Sequence, residues 1–412
     1  MSARPARIGL ALAGGGPLGA VYEIGALCAL EESIGGLNLS ALDGYVGVSA
    51  GGFIAAGLAS GMSPRALCAA FIETGEARPD AIDASLFVRP AWREFAYRVA
   101  ALPGLAAQAA YEAVFGRRSA LAAAERLGRA LPTGVFSNAP LEEAMRRLLS
   151  GQGRTNDFRK LERRLVLVAT DLDSGEAAPF GMPGWDHVPI SRAIAASAAL
   201  PGLYPPVPIG GRWYVDGALK KTLHASVLLS MSPDLVICLN PLVPFDASHS
   251  RHRVLSAGEG RIPRLVEGGL PVVMSQTFRS LIHSRLELGL KSYRTSHPQT
   301  DVLLFEPDHR DPEMFLSNIF SYSQRQHLAE HAYQRTRADL RSRRSELRHV
   351  LARHGLALED AVLDDPKRSL TRRRRAPVRN RSALVLRRLD EVLDDLDRAL
   401  ALWERARQAA PR

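Results

Sequence analysis

The chain has 412 residues, 46% of them hydrophobic and 23% charged, which excludes a disordered or low-complexity protein and suggests two or three domains around a sizeable core. The formal net charge is +10, and three cysteines (Cys28, Cys68, Cys238) in apolar surroundings, without metal-ligand spacing, exclude a disulfide-stapled scaffold and read as buried free thiols. No run approaches the ~20 apolar residues of a membrane span. The apolar stretch after the basic opening residues is too short for a secretory signal, so the expectation is a cytoplasmic protein, with membrane-peripheral contact as the alternative.

In chain order, the continuous apolar run Ile8 to Ala13 predicts a buried strand that delivers a glycine-rich stretch, Gly14 to Gly19, into a helix from about Ala20 to Glu32. Leu42 to Val48 predicts a second buried strand ending at Ser49, with a helix over Ala50 to Leu58. An Ala-rich helical region from Pro64 to about Leu149 is expected to break near Pro90, Pro103 and Pro132. A strand over Leu165 to Thr170 runs into the turn Asp171-Leu172-Asp173-Ser174-Gly175, and a helix follows over Ile190 to Ala199. Trp213 to Val215 and Leu235 to Asn240 complete the strands. Apolar strands alternating with helices predict an α/β protein whose central sheet is mainly parallel and covered on both faces.

Beyond Pro241 the pattern becomes helical, with Leu270 to Leu290 the longest candidate. From Lys367 to Leu389 there are ten Lys or Arg and no acid, enough to account for the whole positive excess. A solvated linker is one reading of that run and a tether to anionic lipid is the other; without interleaved aromatics it does not suggest specific nucleic-acid binding. Leu389, Leu393, Leu396, Leu400 and Trp403 then share one helix face. The oligomeric state is not readable.

Chemistry concentrates in three places. Gly47-Val48-Ser49-Ala50-Gly51 is a G-x-S-x-G at a strand-to-helix junction, where a tight turn exposes a hydroxyl and the helix start faces a developing oxyanion. Gly14 to Gly19 offers bare backbone N–H groups to an anion. Asp216-Gly217-Ala218 ends a short strand. Gly14, Gly16 and Gly19 also satisfy the dinucleotide fingerprint G-x-G-x-x-G. That reading requires an acid at the end of the second strand, where Ser49 stands instead, and Asp43 lies at that strand's wrong end.

Taken together, and in this order, the three pieces resemble the patatin-like phospholipase family over about Ile8 to Leu229. Ala169-Thr170-Asp171-Leu172 and Ala195-Ala196-Ser197 running into Leu200-Pro201 add to the likeness. The resemblance implies a three-layer patatin-like α/β fold and a lipid acyl hydrolase of phospholipase A or lysophospholipase type. It implies Ser49 as nucleophile, Asp216 as proton acceptor with no histidine between, and an oxyanion hole from Gly14, Gly15 and Gly16. Gly19, Gly47, Gly51 and Gly217 support the motifs, and neither metal nor cofactor is required. Leu18 stands where many members carry Arg or Lys, which removes a positive charge near the loop.

Other readings stay open: a Ser-His-Asp triad through His187, His224 or His283; Asp171 or Asp173 as base; a lipid-binding protein without catalysis on the same fold. No calcium-loop spacing surrounds Asp171, Asp173 and Glu176. The expected organisation is an acyl hydrolase domain at 8–229, a mainly helical extension at 230–365, a basic linker at 366–388 and an amphipathic helix at 389–412.

Overall fold

The computed structural model describes residues 4–73, 84–115, 128, 130–221, 223–248, 265–311, 313 and 322–371. The strands in chain order are β1 (Ile8–Leu12), a two-residue β2 (Ile34–Gly35) outside the central sheet, β3 (Gly44–Val48), β4 (Arg164–Asp171), β5 (Ala177–Phe180), β6 (Val207–Ile209), β7 (Arg212–Asp216), β8 (Leu235–Leu239) and β9 (Asp301–Phe305). The order of the central sheet is β6-β7-β4-β3-β1-β8-β9, with β5 also on β4, while β2 pairs separately with β10 (Ala357–Leu358). β4, β3, β1, β8 and β9 run parallel, β5 and β7 each pair antiparallel with β4, and β6 pairs antiparallel with β7.

All five residues of β1, of β3 and of β8 are buried, because both faces of a parallel sheet are covered. Alternate residues serve opposite layers. Leu10, Leu12, Tyr45 and Ile237 join one core cluster, and Ala11, Val46, Val48 and Cys238 join the other. The first layer holds α1 (Gly16–Ser33) and α2 (Ala50–Ala59), followed by α3 (Pro64–Phe71). Next in the chain come α4 (Trp92–Phe115), α5 (Ala139–Leu149), α6 (Ile190–Ser197) and α7 (Ala225–Leu229). α7 and Leu286 of α8 (Gly269–Ser296) belong to the opposite layer.

Helix α1 is apolar on all sides, so it needs cover on the face turned away from the sheet. That cover is α9 (Tyr322–Ser342), which approaches so closely that a Cβ on Gly25 would stand 2.3 Å from the Ala329 carbonyl oxygen. Helices α10 (Arg344–Arg353) and α11 (Asp360–Leu363) follow. The buried Arg337 guanidinium ties them in, donating to the carbonyls of Val362 and Asp365 at 2.5 and 2.8 Å.

Three features differ from the sequence expectations. Pro103 lies inside α4 rather than ending it. Val99, whose carbonyl loses its partner there, is 63% exposed, so water can take over the acceptor. The segment read as a mainly helical extension contributes β8 and β9 to the central sheet, β9 being a five-residue strand at its edge. The strands β5 and β6 were not anticipated; each is short and completes a hairpin or a sheet edge. Residues 372–412, which hold most of the basic run and the expected C-terminal helix, lie outside the described residues. The three cysteines are free and buried, as expected.

The registers of β1 with β3 and with β8 align the carboxyl ends of these strands along one edge. After β1 the chain moves to β3 and β4 on one side, and β8 and β9 fill the other. This makes β1 the switch point, the place where open α/β sheets bind ligands.

Candidate active site

Ser49 leaves β3 and caps α2 with φ 52° and ψ −122°, a conformation that side chains rarely adopt and that costs on the order of 1–3 kcal/mol. Two neighbours hold it there. The Ser49 N–H donates to Ser197 Oγ at 2.8 Å, and the Ser197 hydroxyl donates to the Val168 carbonyl on β4 at 2.6 Å. The flanking glycines answer to close approach: a Cβ on Gly51 would meet the Ala13 carbonyl oxygen at 2.5 Å, and one on Gly47 would meet the Gly51 oxygen at 2.6 Å. The Gly51 N–H donates to that same Ala13 oxygen at 3.2 Å, so the serine turn is fastened to the start of the glycine stretch.

Asp216 ends β7, beside Ala169 of β4, and is 2% exposed. Its Oδ1 accepts the Ala218 N–H at 2.9 Å, and the Ser49 hydroxyl is near enough to favour its ionised form. Burial pushes this acid up to about 6, against the opposing pull of those two donors. The next residue, Gly217, has no room for a side chain, since a Cβ would fall 2.1 Å from the Val168 oxygen. One carbonyl on β4 therefore anchors Ser197 and excludes bulk at the aspartate turn.

The glycine stretch closes the third side. A Cβ on Gly14 would lie 3.0 Å from the Ser49 Cβ and 3.3 Å from the Ala218 Cβ, which places the loop directly against serine and aspartate turn. Among the described residues, the N–H groups of Gly14, Gly15 and Gly16 meet no intramolecular acceptor. Gly16 opens α1 at φ 58°, with Pro17 in the first turn, so these N–H groups belong to the positive end of a long helix. Gly19 packs against Pro241, as does Gly15. Leu18 is half-buried against the core.

The remaining candidates fall elsewhere. Asp171 accepts from Arg212 at 2.7 Å and from the N–H groups of Asp173 and Ser174, and the guanidinium holds it below the usual carboxylate range, as a turn brace rather than a base. Asp173 is exposed, and so is His187. His224 is buried, with Nε2 3.2 Å from the Gly217 carbonyl oxygen, and burial pushes it down to about 4. It supports the aspartate turn in the neutral form. His283 lies on α8 against Glu287, Glu306 and His309. The end of β3 holds Ser49 where a dinucleotide site would place its ribose-binding acid.

His224 entered the sequence reading only as a triad candidate; its support of the aspartate turn, through a carbonyl, leaves no motif. One further residue was not singled out from sequence. Glu23, on α1, is fully buried with both carboxyl oxygens lacking hydrogen-bond partners, and burial drives it well above the ordinary range. An acid inside the apolar run from Ala20 to Leu30 was its only signal.

The profile of the patatin-like phospholipase family matches residues 10–229, more than half of the chain and all three pieces of the site. The chain belongs to this family. Its members are lipid acyl hydrolases as a class. Two solved structures show similarity: VipD from Legionella pneumophila, 14% identical over 83% of this chain and 68% of VipD with a TM-score of 0.34, and full-length ExoU in complex with SpcU from Pseudomonas aeruginosa, 18% identical over 70% and 53% with a TM-score of 0.28. The patatin-like chain described here thus spans about half of that ExoU chain. No helix among its described residues is long and apolar enough to cross a membrane.

Proposed function

We propose that this patatin-like phospholipase is a metal-independent serine lipid acyl hydrolase of phospholipase A or lysophospholipase type, with Ser49 as nucleophile and Asp216 as its base. The observation that carries this reading is the Ser49 hydroxyl set beside a buried carboxylate raised to about 6. A hydroxyl is a poor nucleophile until its proton has somewhere to go, and a carboxylate raised toward neutrality accepts it more readily than an ordinary one. As Ser49 Oγ attacks the ester carbonyl, Asp216 takes the proton and the N–H groups of Gly14, Gly15 and Gly16 receive the oxyanion. Asp216 returns the proton to the departing alcohol, leaving an acyl-serine. Water then cleaves the acyl-serine by the reverse sequence.

The lipid-facing part of the proposal rests on α4, which exposes Trp92, Tyr97, Leu102 and Tyr111. Its base is joined to the chain leading to Asp216: Phe136 N–H donates to the Leu203 carbonyl, Tyr204 Oη to the Phe87 carbonyl, and Asp216 N–H to the Ala199 carbonyl. Such a helix suits a cap that receives acyl chains, since amphipathic aromatics favour a surface with one wet side.

The deciding experiment is hydrolysis of a short-chain chromogenic ester and mixed phospholipids in EDTA. Ser49→Ala and Asp216→Asn are each expected to lower kcat by about 1,000-fold or more with folding intact. Activity surviving Asp216→Asn but not Ser49→Ala would replace the base by a histidine. Lipid binding without turnover in the unmodified protein would make it a binding protein on this fold.

A further inference from the structure

We propose a zinc site formed by His283, Glu306 and His309, separate from the serine centre and at the same edge of the sheet. Glu306 follows β9, His309 lies three residues further on, and His283 comes from the middle of α8. Their nearest donor atoms all lie within 4.8 Å of one another. His283 Nδ1 and His309 Nε2 each stand 4.0 Å from a Glu306 oxygen, and the two rings meet edge to face with centroids 4.8 Å apart. Donors about 2.1 Å from one tetrahedral ion lie about 3.4 Å apart, so binding requires the widest-spaced pair to close by up to about 1.4 Å, shared between two side chains.

The outer contacts decide the ligand chemistry. His309 Nδ1 faces the Pro244 carbonyl oxygen at 3.2 Å, so it carries the proton and leaves Nε2 as a lone-pair donor. His283 Nε2 faces the Glu287 carboxylate at 3.5 Å, which leaves Nδ1 as the donor, and that atom is buried without a hydrogen-bond partner. Glu306 is held by the Asn240 side-chain amide at 3.2 Å. Both imidazoles therefore present an unprotonated nitrogen to one carboxylate, each oriented from behind by an acceptor. An isolated histidine–glutamate ion pair would place an N–H there instead. Two imidazoles and one carboxylate suit a borderline divalent ion such as Zn²⁺, whereas Ca²⁺ and Mg²⁺ prefer all-oxygen shells.

The ion would fasten α8 to the end of β9. It would also stiffen the segment after β8, where Asn240 contacts Glu306 and the adjoining Pro241 packs on Gly15 and Gly19. Nothing in this depends on Ser49 being catalytic.

The test uses the full chain stripped with EDTA, titrated calorimetrically with Zn²⁺ and by visible absorption with Co²⁺. One equivalent should bind, with a tetrahedral-type Co²⁺ spectrum, unaffected by excess Ca²⁺ or Mg²⁺ and retained in Ser49→Ala. His309→Ala and Glu306→Gln should abolish both signals while circular dichroism stays unchanged. Glu287→Gln alters a 60% exposed side chain, so it keeps the test decisive if a ligand variant misfolds. It should weaken Zn²⁺ by about 10- to 100-fold. Absence of binding to the unmodified chain would overturn the proposal, and so would binding that survives loss of His309 and Glu306 or that ignores Glu287→Gln.

Discussion

At the residue scale, the two unusual ionisations at the centre pull stability in opposite directions. Asp216 is raised to about 6, so its folded form binds a proton that the unfolded chain has released. The stability it contributes is full below the unfolded value near 4 and is lost as pH rises through 6, about 3 kcal/mol in all. His224 is lowered to about 4, so its contribution is present above the unfolded value near 6.5 and is lost as pH falls toward 4. Between pH 4 and 6 the two slopes largely cancel. Asp216→Asn keeps an acceptor for Ala218 while removing the buried charge, so urea unfolding at pH 8 should find the variant more stable than the parent by up to about 3 kcal/mol, with the gain gone at pH 4. Catalysis carries the opposite sign. As the base of the proposed mechanism, Asp216 works only when ionised, so kcat/KM should rise about tenfold per pH unit below 6 and level off above it.

Among the elements, the turn between β3 and α2 is held by crowding more than by hydrogen bonds. A methyl group on Gly51 would press on Leu12 and Ala13 backbone at 2.5 to 2.7 Å, and backbone cannot step aside cheaply. Gly51→Ala should cost about 2–3 kcal/mol by urea denaturation and lower turnover even where the fold survives, because the same shift moves Gly14 away from Ser49. Helix α4 makes the contrasting case, an element whose outer face is not packed into the core. Replacing Trp92, Tyr97 and Tyr111 together with Ser should leave short-chain ester hydrolysis within about twofold, since exposed positions contribute little to stability. The same change should raise KM for long-chain phospholipids. Equal loss on both substrates would assign α4 to the scaffold.

For the whole molecule, charge is the property that local geometry does not explain. Ten basic residues fall between Lys367 and Leu389, with no acid among them. Cosedimentation with anionic vesicles tests whether they tether the protein: changing the four arginines Arg372 to Arg375 to Gln should reduce binding on the order of 1,000-fold at low ionic strength, at about 1 kcal/mol for each basic residue. Binding that is indifferent to these changes and to salt would leave the segment as a linker. The C-terminal helices have a structural part that does not depend on this outcome. α9 covers the outer face of α1, the helix that the glycine loop opens, so the site's loop is braced from both sides.

The amino-acid sequence by itself determined the parallel core and the turns that interrupt it. Strands buried on both faces must be continuous apolar runs, and β1, β3 and β8 are readable for that reason. A backbone that approaches another within van der Waals contact must be glycine, which made the serine turn, the loop before α1 and the Asp216 turn visible as motifs. What only the tertiary structure decided is which distant side chains meet. The approach of Ser49 to Asp216, the support of Ser49 by Ser197 and of Gly217 by His224, and the gathering of His283, Glu306 and His309 all join separate elements. Spacing along a chain reports periodicity within one helix or strand, and carries no record of how two of them are brought together. The edge strand β9 was lost for a related reason: its short run is indistinguishable from a helical segment until β8 stands beside it.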